Sequence, residues 1–119
     1  MLKTKSIQLP KSKSDGIRIC IMRRPDEGLD WDIWIPHLAP SHALLTKYHN
    51  GEVSWSRFVE IFSNEVLIRK AEYVDLVAEL SQKRTITLLC WETSPEMCHR
   101  RLVAEELLKK YPDLSVKVL

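Results

Sequence analysis

The sequence predicts a single α/β sandwich of three layers, a mixed or mostly parallel central sheet with helices on both faces. Three stretches carry that expectation. Thr85-Ile86-Thr87-Leu88-Leu89-Cys90-Trp91 has the β-branched and apolar content of a central strand, and its apolar residues do not alternate with polar ones, as happens when both faces are covered. Trp55, Phe58, Val59, Phe62 and Val66 recur at i, i+3, i+4 and i+7, the period of a helix burying one face. The chain then closes with a strand-like run, a helical run and a second strand-like run, a βαβ pattern whose strands should be parallel with a right-handed crossover.

Taken in order, Ser6 to Leu9 reads as a weak strand stopped by Pro10, and Lys11 to Gly16 as a polar turn. Ile17 to about Arg23 reads as a second strand, in which Cys20 is a packed thiol. From Arg24 to Pro40 the text is irregular, with four prolines or glycines and the tryptophans Trp31 and Trp34, which predicts a long loop packed by its own aromatics. Ser41 is placed to cap a short helix through Leu44, Leu45 and Tyr48, ending near Asn50-Gly51, and Ser54 to cap the next. A further helix, roughly Arg69 to Gln82, carries Tyr73, Leu76, Val77 and Leu80 on one stripe. The last helix is expected from Pro95 to about Tyr111, behind Thr93 and Ser94 as caps, with Thr93 and Glu96 in a capping-box pattern. Pro112 ends it, and Leu114 to Leu119 reads as the terminal strand.

A chain of 119 residues is the size of one domain. Its 45% hydrophobic and 29% charged content is that of a globular protein. The net charge of +2 makes no electrostatic case for nucleic acid. The early lysines Lys3, Lys5, Lys11 and Lys13 read as a solvated start. There is no apolar run of membrane-spanning length and no signal-peptide core, so no membrane partner is expected. The three irregularly spaced cysteines are not a disulfide framework, and a cytoplasmic location is expected.

The segment Thr87-Leu88-Leu89-Cys90-Trp91-Glu92, followed by Pro95-Glu96-Met97-Cys98-His99-Arg100, resembles the signature of the family catalogued as domain of unknown function 488. Asp15-Gly16-Ile17-Arg18, Arg23, Ala39-Pro40-Ser41, Tyr48-His49-Asn50-Gly51, and Trp55 with Phe58 extend the likeness from about Ser14 to Leu108. The chain departs where many members carry a tryptophan-proline-arginine-glycine stretch, having Arg23-Arg24-Pro25-Asp26-Glu27-Gly28 instead. The resemblance implies a fold and a site, not a reaction.

In parallel sheets, ligands bind beyond the carboxyl ends of the strands, where Cys90, Glu92 and Arg23 fall. A helix start at this crevice, including Ser94, would favour an anion. On the last helix, Ala104, Leu107, Leu108 and Tyr111 form the apolar stripe with Arg100 in its middle, so Arg100 should point inward. A buried guanidinium needs a partner, which is either Glu92 or another carboxylate in a structural salt bridge, or a bound phosphate, sulfate or carboxylate. The same wheel sets Cys98 on the far side, packed under the Trp31 and Trp34 loop, and His99 at the stripe's edge, as a cap on a carbonyl or as a general base.

Arg23, Arg100 and Ser94 are therefore the candidate ligand-binding residues, and Cys90, Glu92 and His99 the candidate catalytic ones, for a small anionic substrate. Cys90 also has the placement of rhodanese-like and phosphatase-like thiolates, without their glycine-bearing loop. A zinc or iron site from Cys90, Glu92, Cys98 and His99 has the right ligand types, but gathering four within ten residues runs against the helix direction. No metal or other cofactor is expected. A non-catalytic alternative remains, in which Arg23, Arg24, Arg100, Arg101 and the tryptophans hold a nucleotide or single-stranded nucleic acid.

Overall fold

A computed structural model describes residues 1–119. Five parallel strands, β1 (Leu2–Ser6), β2 (Ile17–Cys20), β3 (Ile33–Trp34), β4 (Ile86–Cys90) and β5 (Val116–Val118), form one sheet in the order β3-β2-β4-β1-β5. The helices are α1 (His42–His49), α2 (Trp55–Phe62), α3 (Ala71–Lys83) and α4 (His99–Lys110), with a π-helical turn at Ser63–Ile68. The expected α/β sandwich with a parallel sheet is thus present, and β4 is its central, fully buried strand.

Strand parity separates the two faces. Leu2, Ile19, Ile86, Leu88 and Cys90 meet Phe58, Phe62, Val66, Val77, Val103 and Leu107 in one core of 21 buried residues, so all four α-helices stand on this side. On the other face Ile7, Cys20 and Leu89 are covered by Met22, Leu29 and Trp31 and by the 3-10 turn Lys13–Asp15. That third layer is thin because the connections from β1 to β2 and from β2 to β3 hold no α-helix. No helix is long and apolar enough to cross a membrane.

Several boundaries differ from the sequence expectation, each for a local reason. The first strand is Leu2–Ser6, not Ser6 to Leu9. Its lysines are not a solvated start: Lys3 donates to the Ser14 carbonyl, and Lys5, 8% exposed, donates to the Pro10 carbonyl and to Asp15. Asp15 also pairs with the buried Arg18, and Thr87 donates to its main-chain carbonyl, so the carboxylate and carbonyl of this residue together pin the thin layer to three strands. Gly16 makes the turn into β2 at φ +65°, and a Cβ there would lie 2.1 Å from the Thr85 carbonyl oxygen.

Ser41 and Ser54 cap α1 and α2 as expected, their hydroxyls accepting from Leu44 and Arg57 N–H. In α3 the buried stripe is Val74, Val77, Ala78 and Ser81, while Leu76 points out. β4 and β5 are parallel as predicted, but β1 lies between them.

Candidate functional site

The last helix begins at His99, not Pro95, and its N-cap is Cys98. Residues 91–98 form a loop instead of a first helical turn. Arg100 is responsible. It is fully buried, and its Nη1 donates to the Glu92 carbonyl at 2.7 Å, its Nη2 to the carbonyls of Thr93 at 3.4 Å and Leu119 at 3.2 Å. Carbonyls turned onto a guanidinium cannot serve a helix, so the Thr93 and Glu96 capping pattern is not realised. Ser94 accepts only from the Glu96 N–H and lies outside the cavity described below.

Arg100 therefore points inward, as the helical wheel requires, but its partners are backbone carbonyls. Neither the Glu92 carboxylate nor an anion is needed to satisfy its Nη groups, although its Nε has no partner. Burial lowers its pKa, and the Glu92 charge opposes that.

Because the helix starts late, Cys98 is free to turn back toward β4. Its sulfur and that of Cys90 meet as a disulfide, with Cα atoms 7.6 Å apart. Cys98 does not pack under Trp31, which lies on the opposite face of the sheet, or under Trp34, whose indole donates to the Met22 carbonyl. The Arg100 Nη1 stands 3.4 Å from the Cys90 sulfur. One ligand atom from each of Cys90, Cys98 and His99 lies within 4.8 Å of the others, so three of the four candidate ligands do come together. The objection from helix direction fails because there is no helix between residues 91 and 98.

The His99 Nε2 donates to the Ile21 carbonyl at 2.6 Å, the carbonyl-capping role foreseen for it, and its ring tilts against Phe62 at 5.8 Å. Burial first, with Arg100 and Arg23 nearby, pushes its pKa down to about 4 against the pull of the Ile21 bond. The ring is neutral at pH 7, with its proton on Nε2 and the Nδ1 lone pair free.

Over these groups lies a cavity of about 330 Å³, at the carboxyl ends of β2 and β4 and beside the start of α4. Cys90, Cys98 and His99 line one side, and Glu92 and Trp91 the rim. Another part of the lining is aromatic: Tyr48 of α1 with Trp55 and Phe58 of α2, their ring centroids 4.9–5.7 Å apart. Met97 closes over Tyr48, whose hydroxyl is 3.6 Å from its sulfur. Four further groups, Arg23, Arg24, His42 and His49, bring cationic or titratable nitrogen to the lining. Arg23 is held by its Nε on the Pro40 carbonyl at 3.1 Å and its Nη2 on the Ala39 carbonyl at 3.3 Å.

The model of the Active DUF488-N3 subclade matches residues 2–111. The chain belongs to the DUF488 family. No curated protein and no solved structure matches this DUF488 chain.

Of its sequence-predicted site residues, Arg23, Cys90, Glu92 and His99 share the cavity of the DUF488 chain, whereas Arg100 braces it from behind and Ser94 is outside. Sequence reasoning missed the aromatic wall, because Tyr48, Trp55 and Phe58 read equally well as core on amphipathic helices. It also missed His42, His49 and the approach of Cys98. Tyr48-His49-Asn50-Gly51 carried a signal only as part of the family likeness.

Proposed function

We propose that the crevice is a binding site for a small anionic molecule with a planar, apolar part, and that the sulfur and imidazole groups on its inner side act on that molecule. Size supports this, since about 330 Å³ is in the range of small-ligand pockets. So does composition, with the rings of Tyr48, Trp55 and Phe58, of which Trp55 and Phe58 stack, lining the same crevice as Cys90, Cys98 and His99.

The observation that carries the proposal is Arg23. Two of its nitrogens are fixed on carbonyls of residues 39 and 40, which leaves Nη1 without a partner in the chain, on a residue that lines the cavity. A guanidinium oriented in this way binds an oxyanion at little entropic cost. Arg24 adds a second cation, and the positive end of α4 adds a favourable field at Cys98 and His99.

The single-stranded nucleic-acid alternative drew on Arg100 and Arg101 as surface cations. Arg100 is fully buried, and Arg101 pairs with Glu105 at 3.6 Å, so one concave pocket is the better reading. The rhodanese-like or phosphatase-like alternative needs Cys90 to act alone, whereas the sulfur of Cys98 stands against it. The chemistry is therefore assigned to the pair. In a cytoplasmic location, which the sequence leads one to expect, thiols are kept reduced, and the pair would stand there as two neighbouring thiols.

Thermal melts at matched ionic strength test the pocket. Phenyl phosphate at a few times its dissociation constant should stabilise the wild type by ~1 kcal/mol, and inorganic phosphate should do so only at higher concentration. Arg23→Met should abolish both shifts. Equal protection of wild type and R23M, or none of either by any aromatic anion, would refute the proposal.

A further inference from the structure

We propose that the reduced chain uses Cys90, Cys98 and His99 to bind a borderline-soft divalent cation of the zinc type, with the fourth coordination position open to the crevice.

The ligand set and its spacing argue for this. One donor atom of each residue already lies within 4.8 Å of the other two. In a tetrahedral site with Zn–S near 2.3 Å and Zn–N near 2.0 Å, neighbouring donors stand about 3.5–3.8 Å apart, a spacing the three can reach once reduction frees the two sulfurs to part. The backbone leaves room for them. Cys90 and Cys98 have Cα atoms 7.6 Å apart, wider than the usual disulfide span of about 4.4–6.8 Å. An ion seated between the sulfurs would occupy that extra width.

The surroundings are those of a ligating shell. A metal-bound histidine commonly donates its second ring nitrogen to a backbone carbonyl, which fixes the tautomer and the ring plane. His99 does this through Nε2 to Ile21 at 2.6 Å, so Nδ1 is the nitrogen that keeps a lone pair for a cation. The Cys90 sulfur has the Arg100 Nη1 at 3.4 Å, a donor suited to a thiolate. Two sulfurs and one imidazole select zinc-like cations over calcium or magnesium, which require oxygen ligands. Three protein ligands beside a cavity correspond to the open type of site, in contrast to a closed structural one.

The proton and electron balance is complete. A cellular thiol, acting as two equivalents, gives two electrons and two protons to the Cys90–Cys98 bond and is itself oxidised to a disulfide. The cation then displaces both thiol protons to solvent as two thiolates form.

The test uses the full chain reduced with a phosphine and exchanged into buffer free of chelator. Titration with cobalt(II) should give a thiolate-to-cobalt charge-transfer band that saturates at one ion per chain and is erased by zinc. In the unmodified wild type, zinc should slow iodoacetamide labelling of Cys90 and Cys98 at least about 10-fold and leave Cys20 unchanged. Cys98→Ser, checked for folding by circular dichroism, should lose most of the band. The proposal is overturned if the reduced, folded wild type shows no charge-transfer band, if zinc leaves labelling of Cys90 and Cys98 unchanged, or if the band survives in C98S. None of these readouts involves an anion, so they stand apart from the fate of the Arg23 pocket.

Discussion

Replacing Arg100 with methionine separates a structural clamp from a ligand-binding arginine. Methionine matches much of the arginine stem and removes the guanidinium, which leaves the carbonyls of Glu92, Thr93 and Leu119 without their donor. An unsatisfied buried carbonyl costs about 1–3 kcal/mol, and these three are only partly buried, so the low end of that range applies to each. Against this stands relief from the desolvation of the buried guanidinium, which offsets part of that cost. The net expectation is a loss of about 2–3 kcal/mol. A chain of 119 residues unfolds with an entropy near 0.25 kcal/mol per kelvin, so the melting temperature should fall by roughly 8–12 °C. Thermal unfolding followed by circular dichroism measures it directly. An R100M protein as stable as the wild type, or more stable, would refute the clamp and return Arg100 to the role of an anion ligand.

Gly16→Ala should cost at least about 2 kcal/mol, because the new Cβ meets the Thr85 carbonyl and φ is positive. Gly51→Ala, with positive φ but nothing within 4 Å, should cost only about 1 kcal/mol, and denaturant titration compares the two. Burial works to raise the Asp15 pKa, but the Ser12 N–H, Lys5 and Arg18 together hold it below its ordinary value. The unfolded chain therefore binds the proton first, so this contribution is complete above about pH 4 and is lost as the pH falls below it. Asp15→Asn should be about 3–5 kcal/mol less stable near neutrality and should show a flatter acid limb; an unchanged acid midpoint and stability would contradict the pin. Cys20 is fully buried with its pKa raised by that burial and lines no part of the crevice, so native labelling with iodoacetamide should leave it unmodified, while reduction of the disulfide opens Cys90 and Cys98, buried but lining the crevice, to reagent. Mass mapping that finds Cys20 labelled first would show that the thin layer does not protect the sheet.

What could be read in the chain depended on how local the deciding physics is. Serine caps act within three residues, so the starts of α1 and α2 were legible at Ser41 and Ser54. The inward direction of Arg100 was legible too, because its spacing from Ala104 and Leu107 is the same wherever the helix begins. Where α4 starts was not legible. Thr93, Pro95 and Glu96 form a sound local start signal, and it is overridden by the Arg100 guanidinium drawing the carbonyls of residues 92 and 93 onto itself. Once that boundary moved, the predicted direction of Cys98 moved with it, and the meeting of Cys90, Cys98 and His99 became possible. The burial of Lys5 was hidden for a different reason. Its partner Asp15 is ten residues away across a turn, and alternation along Leu2-Lys3-Thr4-Lys5-Ser6 identifies a strand only to a reader who knows what covers the lysine face. The aromatic wall was hidden because a ring lining a cavity and a ring filling a core give the same helical period.

The central claim is that an anion enters the crevice at Arg23, in front of the sulfur and imidazole groups, while Arg100 stays committed to the backbone behind them. A crystal structure of the chain with phenyl phosphate tests this most directly. The account predicts density for the phosphate at the Arg23 guanidinium, with the phenyl ring against Tyr48, Trp55 or Phe58 and the Arg100 hydrogen bonds to residues 92, 93 and 119 intact. Phosphate density on Arg100 with those bonds broken, or a crevice that takes up no ligand while phosphate binds elsewhere on the surface, would contradict it.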